Sequence, residues 1–143
     1  MTLEELQNLH YLPKEIAHYD AILADFDKKY SAASIPLQQR LEYKAAIDDY
    51  RKAIVDNRNR SIRDLERLQS FVDNIKDPFI QAIFIERFEN NRGWWDVAGE
   101  LEEEFGPYIG PSLKMKVYRY LEKYNKTVAA DPATPTHSID NHA

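Results

Sequence analysis

From Leu37 to Ile75 the chain runs for 39 residues without a proline or a glycine. These are the two residues least compatible with a helix interior, and their absence over such a stretch predicts one long helix. Helices of this length favour a coiled coil or an arm over a compact globule. Residues 31–36, SAASIP, form the break before it. Ser34 is placed as an N-cap, and Pro36 in the first turn. The apolar trace is interrupted: Ile47, Tyr50 and Ile54, then Asn57 and Ser61, then Leu65, Leu68, Val72 and Ile75. Such a stripe predicts two partners, a preceding helix for its first part and a following domain for its last. The phase change from Ser61 to Leu65 would be a stutter in a true coiled coil. Arg51, Lys52, Arg58, Arg60, Arg63 and Arg67 crowd the middle. They suit pairing with Asp56, Asp64 and Glu66, a partner surface, or a nucleic-acid backbone.

Residues 3–30 read as one amphipathic helix. Leu9, Leu12, Ile16, Tyr19, Leu23, Phe26 and Tyr30 recur at alternating gaps of three and four and so share one stripe. Pro13 lacks an amide and crowds the turn before it, which moves the true start towards Leu12.

Asp77-Pro78 marks another start, with Asp77 as cap and Pro78 in the first helical position. Ile80, Ile83, Phe84 and Phe88 form the expected buried face. Asn90-Asn91-Arg92-Gly93 is a turn by composition. The next helix opens on Trp94-Trp95, with Trp95, Ala98 and Leu101 at three-residue steps and Val97 beside them. One of the two rings is expected in the core, the other free for a partner. Glu102-Glu103-Glu104 ends that helix or faces solvent. Gly106-Pro107 and Gly110-Pro111 bracket a long loop, Glu103 to Pro111. Leu113, Val117, Tyr120, Leu121 and Tyr124 then make the apolar stripe of a last helix. Three short helices and two turns are the sequence pattern of a helix-turn-helix. The fold class is therefore all-α. A long helical hairpin or coiled coil over 1–75 serves oligomerisation, a three-helix helix-turn-helix domain covers 77–126, and a disordered tail covers 127–143.

Chemistry is sparse. There is no cysteine, which excludes disulfides and thiolate sites. No phosphate loop, HExxH or GxSxG motif occurs, and no histidine lies in the best-patterned half. His10 and His18 share no close face; His137 and His142 lie in the tail. Glu100 and Glu102–Glu104 read as a solvated helix end. Neither enzyme activity nor a cofactor or metal is expected. No apolar run approaches the ~20 residues of a membrane span, and acidic Glu4 and Glu5 near the start argue against a secretory signal. A cytoplasmic setting follows.

The formal charge of −5 hides a gradient. Residues 107–126 hold five basic side chains and one acidic, a local +4. Local charge governs phosphate contact. Ser112 and Lys114 sit in the first turn of the last helix, with Lys116, Arg119 and Lys123 beyond. These donors suit guanine edges or phosphates, and Tyr108 on the preceding loop suits the backbone. The bland alternative is an ordinary solvated helix face.

The segment DPFIQAIFIERFENNRGWWDVAGEL, followed by PSLKMKVYRYL, resembles the carboxy-terminal half of small phage and prophage proteins of Firmicutes related to the ArpU and RinA transcriptional regulators, a half that is similar to region 4 of sigma factors. The resemblance lies in Asp77, the helix ending at Arg87-Phe88, the turn through Gly93, Trp95-x-Val97-Ala98, and Ser112-Leu113-Lys114-x-Lys116-Val117-Tyr118-Arg119-Tyr120-Leu121. It implies a phage-encoded transcriptional regulator acting in a bacterial host cell on double-stranded DNA, with the 112–123 helix in the major groove. Pairing of the long helices implies a homodimer or higher homo-oligomer; a monomeric sigma-like binder needs RNA polymerase as partner. Two other readings fit the residues: a small terminase-like DNA-packaging component, and a helical adaptor that no longer binds DNA.

Overall fold

A computed structural model describes residues 1–31 and 36–130. All their regular structure is helical, so the protein is all-α. The chain divides into two compact units. One comprises Asn8–Phe71; the other joins Met1–Gln7 to the chain from Val72 onward.

In the first unit, α2 (Leu12–Lys29) pairs with α3 (Leu37–Asp73). The pairing is antiparallel, because residue numbers fall on one helix as they rise on the other. Asp27 receives two hydrogen bonds from Arg51, at 2.8 and 3.0 Å, Asp20 pairs with Arg58, and Glu15 with Ser61. Phe26 and Ile54 are buried, and the Phe26 ring lies 5.3 Å from that of Tyr50. Ser61 is a buried polar residue; its hydroxyl donates to Glu15 Oε1 at 2.5 Å. Burial on α3 thus passes through Ile54, Ser61 and Leu68 at even seven-residue steps, so the stripe keeps its phase where the sequence predicts a stutter, and a serine hydrogen bond stands there in place of an apolar contact.

Two of the crowded cations of α3 are turned towards α2. The hydrogen bond from Arg51 holds the Asp27 carboxyl below its ordinary range, and Arg51 is raised in return. Lys52 pairs with Asp56 one turn on, at 2.8 Å. Exposed pairs of this kind set register more than stability.

Residues 3–30 are not one helix. α1 (Leu3–Gln7) stops, the chain turns through Asn8–Tyr11, and α2 starts at Leu12. Pro13 is the cause: in a continuous helix its ring would meet the carbonyl of Leu9. In the turn the Asn8 carbonyl accepts from the amides of Tyr11 and Leu12 instead. Thr2 and Glu5 close a reciprocal capping box on α1, at 2.9 and 3.1 Å. Pro36 stands just before α3, and the expected cap at Ser34 lies outside the described residues.

In the second unit, α4 (Pro78–Phe84) begins as its sequence predicts. Asp77 Oδ1 accepts from the amides of Phe79 and Ile80, at 2.9 and 3.3 Å, and Pro78 occupies the first turn. Gln81 donates to the carbonyls of Val72 and Asp73, which fixes the corner with the end of α3. The helix then widens into one π turn, Ile85–Glu89, whose last bond runs from the Asn90 amide to the Ile85 carbonyl. Both Phe84 and Phe88 are buried, with rings 5.5 Å apart. They share a core with Ile83, with Val97, Ala98 and Leu101 of α5 (Trp94–Phe105), and with Leu113, Val117 and Leu121 of α6 (Gly110–Ala130).

Two boundaries differ from the sequence expectation. The connection between α5 and α6 is four residues, 106–109, because the acidic run belongs to α5 and Pro111 to α6. α6 also continues through Thr127–Ala130, the first part of the expected tail; residues 131–143 lie outside the described residues. Near its end Asn125 exchanges two hydrogen bonds with Met1, at 3.0 and 2.9 Å. Asp77→Ala removes the cap on α4 and is expected to cost about 1 kcal/mol of stability, read as a lower urea midpoint at unchanged slope.

Candidate functional site

The 90–93 turn is strapped to the π turn that precedes it. Glu86 accepts from Asn90 Nδ2 at 3.1 Å and from Arg92 Nε at 2.8 Å. Arg87 donates to the Arg92 carbonyl at 2.9 Å, and its guanidinium lies 4.7 Å from the centre of the Trp94 ring. Asn91 adopts φ 54°, a conformation that asparagine tolerates better than most residues. These contacts fix where α5 begins. Trp94 is half-buried beneath Arg87, whereas Trp95 is 64 % exposed. Trp95 therefore does not join the buried stripe of Ala98 and Leu101.

The turn after α5 leads back to the start of α5. Gly106 takes φ 96° and ψ 173°, a region essentially restricted to glycine. Pro107, Tyr108 and Ile109 follow, and Gly110 opens α6 against Trp94 and Trp95. A Cβ on Gly110 would come within 3.1 Å of the Trp94 carbonyl carbon and 3.2 Å of the Trp95 ring. The first residues of α5 and α6 are thus neighbours.

α6 sorts the expected site residues into two flanks. Ser112, Lys116, Arg119 and Lys123 follow one another at steps of four, three and four, one continuous stripe beside the buried Leu113, Val117 and Leu121. Lys116 leans back towards α4: its ammonium lies 5.7 Å from the Phe79 ring and 5.5 Å from that of Tyr108. Tyr108, whose ring stacks 4.9 Å from Phe79, therefore borders this stripe. Lys114 is on the other flank, with its ammonium 5.6 Å from the Tyr118 ring. Five of the six expected residues are brought together, and Lys114 is not. Tyr120, on the inner face, packs edge-on to Phe84 at 5.5 Å, and burial raises its hydroxyl pKa.

α5 supplies an opposite field. It carries Asp96, Glu100 and Glu102–Glu104 and no cation. Glu100 lies 3.7 Å from Arg92, and Glu102–Glu104 are exposed.

Among the described residues no group of three or more His, Asp or Glu is placed to hold a metal, and no helix is long and apolar enough to cross a membrane. A cavity of about 550 Å³ lies between α2 and α3, lined chiefly by Ile22, Phe26, Tyr30, Tyr43, Ile47 and Tyr50. Asp25 and Lys29, one turn apart on α2, also border it.

The chain matches no protein-family model, no curated protein and no solved structure.

Sequence reasoning missed Gly110 as a contact point. The signal was the proline after it: Gly-Pro at a helix start supplies a pre-set φ at the second position and no side chain at the first. Gly106 has no neighbour within 4 Å of a built Cβ, so its substitution tests backbone strain alone. Gly106→Ala is expected to lower stability by about 1–3 kcal/mol, measured by denaturant unfolding.

Proposed function

We propose that this protein is a duplex-DNA-binding regulator. In this reading α5, the 106–109 turn and α6 are a helix-turn-helix, and α6 is the helix that enters the major groove. The observation that carries the proposal is the stripe Ser112–Lys116–Arg119–Lys123 along one flank of the buried face of α6, with Ser112 and Lys116 half-buried and Arg119 and Lys123 exposed. A reading helix needs a polar flank beside its core face, and its N-terminal turns carry the base contacts. The connection has the three- to four-residue length, with glycine, that joins the two helices of such motifs, but it runs back along α5 to Trp94 instead of turning at the end of α5. Ser112 and Arg119 address base edges; Lys116, Lys123 and Tyr108 hold the backbone. Lys114, on the other flank, takes a phosphate at the opposite groove wall.

The long α3 and its α2 partner serve oligomerisation, so that two copies read two half-sites. The resemblance to phage regulators related to ArpU and RinA extends the proposal to control of phage genes in a bacterial host, with RNA polymerase as a second partner where the protein acts as a monomer. A DNA-packaging role would use the same α6 in a ring of many copies, and the mass in solution separates ring from dimer. One observation favours a second reading, an adaptor without DNA binding: α5 presents five carboxylates and no cation next to the proposed reading helix.

Salt decides between these readings. Phosphate contacts release counterions, so duplex binding must weaken steeply as salt rises, and an adaptor would show no such binding. The double variant Lys116→Ala with Arg119→Ala is expected to lower duplex affinity about tenfold or more and to reduce the salt slope by roughly two. Circular dichroism checks that it folds. Unchanged binding by the folded variant would remove α6 as the reading surface.

A further inference from the structure

We infer that a second copy of this chain docks across the groove between α2 and α3, with the two copies related by a two-fold axis at the level of Asp27. This gives the oligomer of the DNA-binding reading its contact face, and it is argued from the hairpin alone. The unit Asn8–Phe71 has a seam but little core. Between Pro13 and Arg67, Phe26 and Ile54 are the only buried apolar residues among those described. Tyr30, Leu37, Leu41, Tyr43 and Tyr50 are exposed. A unit of this size rarely holds together through its own core, and association is one way in which small folds make up the deficit.

The groove gathers much of this apolar surface. Ile22, Phe26 and Tyr30 of α2 face Tyr43, Ile47 and Tyr50 of α3 across it. The Phe26 ring lies 4.6 Å from that of Tyr30 and 5.3 Å from that of Tyr50, so the aromatic surface is continuous. The rim identifies the occupant. The α3 wall carries no charge, and the charged groups among the lining residues are Asp25 and Lys29 of α2. Asp20 and Asp27 are engaged by Arg58 and Arg51, whereas Asp25 has no ion-pair partner among the described residues. One charge of each sign, one turn apart, selects neither a phosphate backbone nor a partner of a single sign. It does match its own inverted copy. With two α2 helices antiparallel and the axis midway between positions 25 and 29, Asp25 of each copy meets Lys29 of the other. That reciprocity is what an isologous contact requires. Asp27 pairs with Arg51 across the seam, so the same axis passes α3 at the level of Arg51. It brings the two Tyr50 side chains beside each other, and the grooves close into the core of a four-helix bundle.

Sedimentation equilibrium of the intact chain should give the mass of two chains. Asp25→Lys and Lys29→Asp each place like charges together at both reciprocal contacts, and each is expected to weaken association about tenfold or more. Mixed in equal amounts, the two variants should associate again, because each then meets the opposite charge on the other. The double variant Asp25→Lys with Lys29→Asp should do so by itself. Both side chains are exposed, and circular dichroism checks that each variant folds. A wild-type chain that stays monomeric overturns the inference, and that arm needs no variant. So does an assembly that either single variant leaves intact, or a loss of association that mixing does not restore. Salt-dependent duplex binding by a monomer would keep α6 as the reading helix while this interface falls. A dimer that obeys the charge exchange but ignores duplex would keep the interface and remove the DNA reading.

Discussion

The contact between Gly110 and the two tryptophans is the constraint on which the C-terminal unit depends. α5 is 12 residues long, and its axis rises about 15 Å from Trp95 to Phe105. The chain leaves one end of it at Gly106 and must start α6 at the other end. The five steps from Phe105 to Gly110 can cover that distance only if they are extended, at about 3.3 Å each. Gly106 supplies the reversal and Gly110 the clearance. Once both are met, α6 crosses α5 at a fixed point, and Val97, Ala98 and Leu101 meet Leu113, Val117 and Leu121 in one register. Without the close approach, the same apolar residues would still form two amphipathic helices, but with no fixed crossing point.

Helix starts were the most legible part of the fold. Asp77-Pro78 states its own chemistry, a cap and a residue with no amide to satisfy, and the cap forms as expected. The apolar faces of α4 and α6 could also be read, because a period of three and four residues survives in the sequence. The turn after α5 was less legible. Glutamates and glycines together suggest a long loop, yet Glu102–Glu104 are helical because solvent accepts them on an exposed face. The tryptophan pair was open for a similar reason: spacing alone puts Trp95 with Ala98 and Leu101, yet neither ring reaches the core, Trp94 being half-buried beneath Arg87 and Trp95 exposed. Lys114 was grouped with Lys116 by charge, whereas two residues on a helix are about 200° apart. The break at Asn8–Tyr11 was half visible, since Pro13 forbids a continuous helix without saying where the preceding one stops.

In the unit of α2 and α3, register is written in polar pairs. Asp27 with Arg51, Asp20 with Arg58 and Glu15 with Ser61 succeed one another along the seam. A slip of α3 by one residue would rotate every partner off the seam and strand Ser61, a buried hydroxyl whose lost hydrogen bond costs more than an exposed ion pair gains. Apolar contacts alone would tolerate such a slip more readily, because Ile54 and Phe26 have no directional demand.

The π turn at Ile85–Glu89 acts as a phase shifter. It holds one residue more than an α-helical turn of the same rise would need. Remove that residue and the helix would close into a regular spiral, but every side chain after it would swing by about 100°. Phe88 would leave the core, and Arg87 would lose both the Arg92 carbonyl and the Trp94 ring. Nothing downstream could compensate, because the turn that follows is only four residues long. The widened turn is thus an offset built into the chain: it sets the rotational phase at which the helices beyond it are hung, and with it the direction in which their outer faces look.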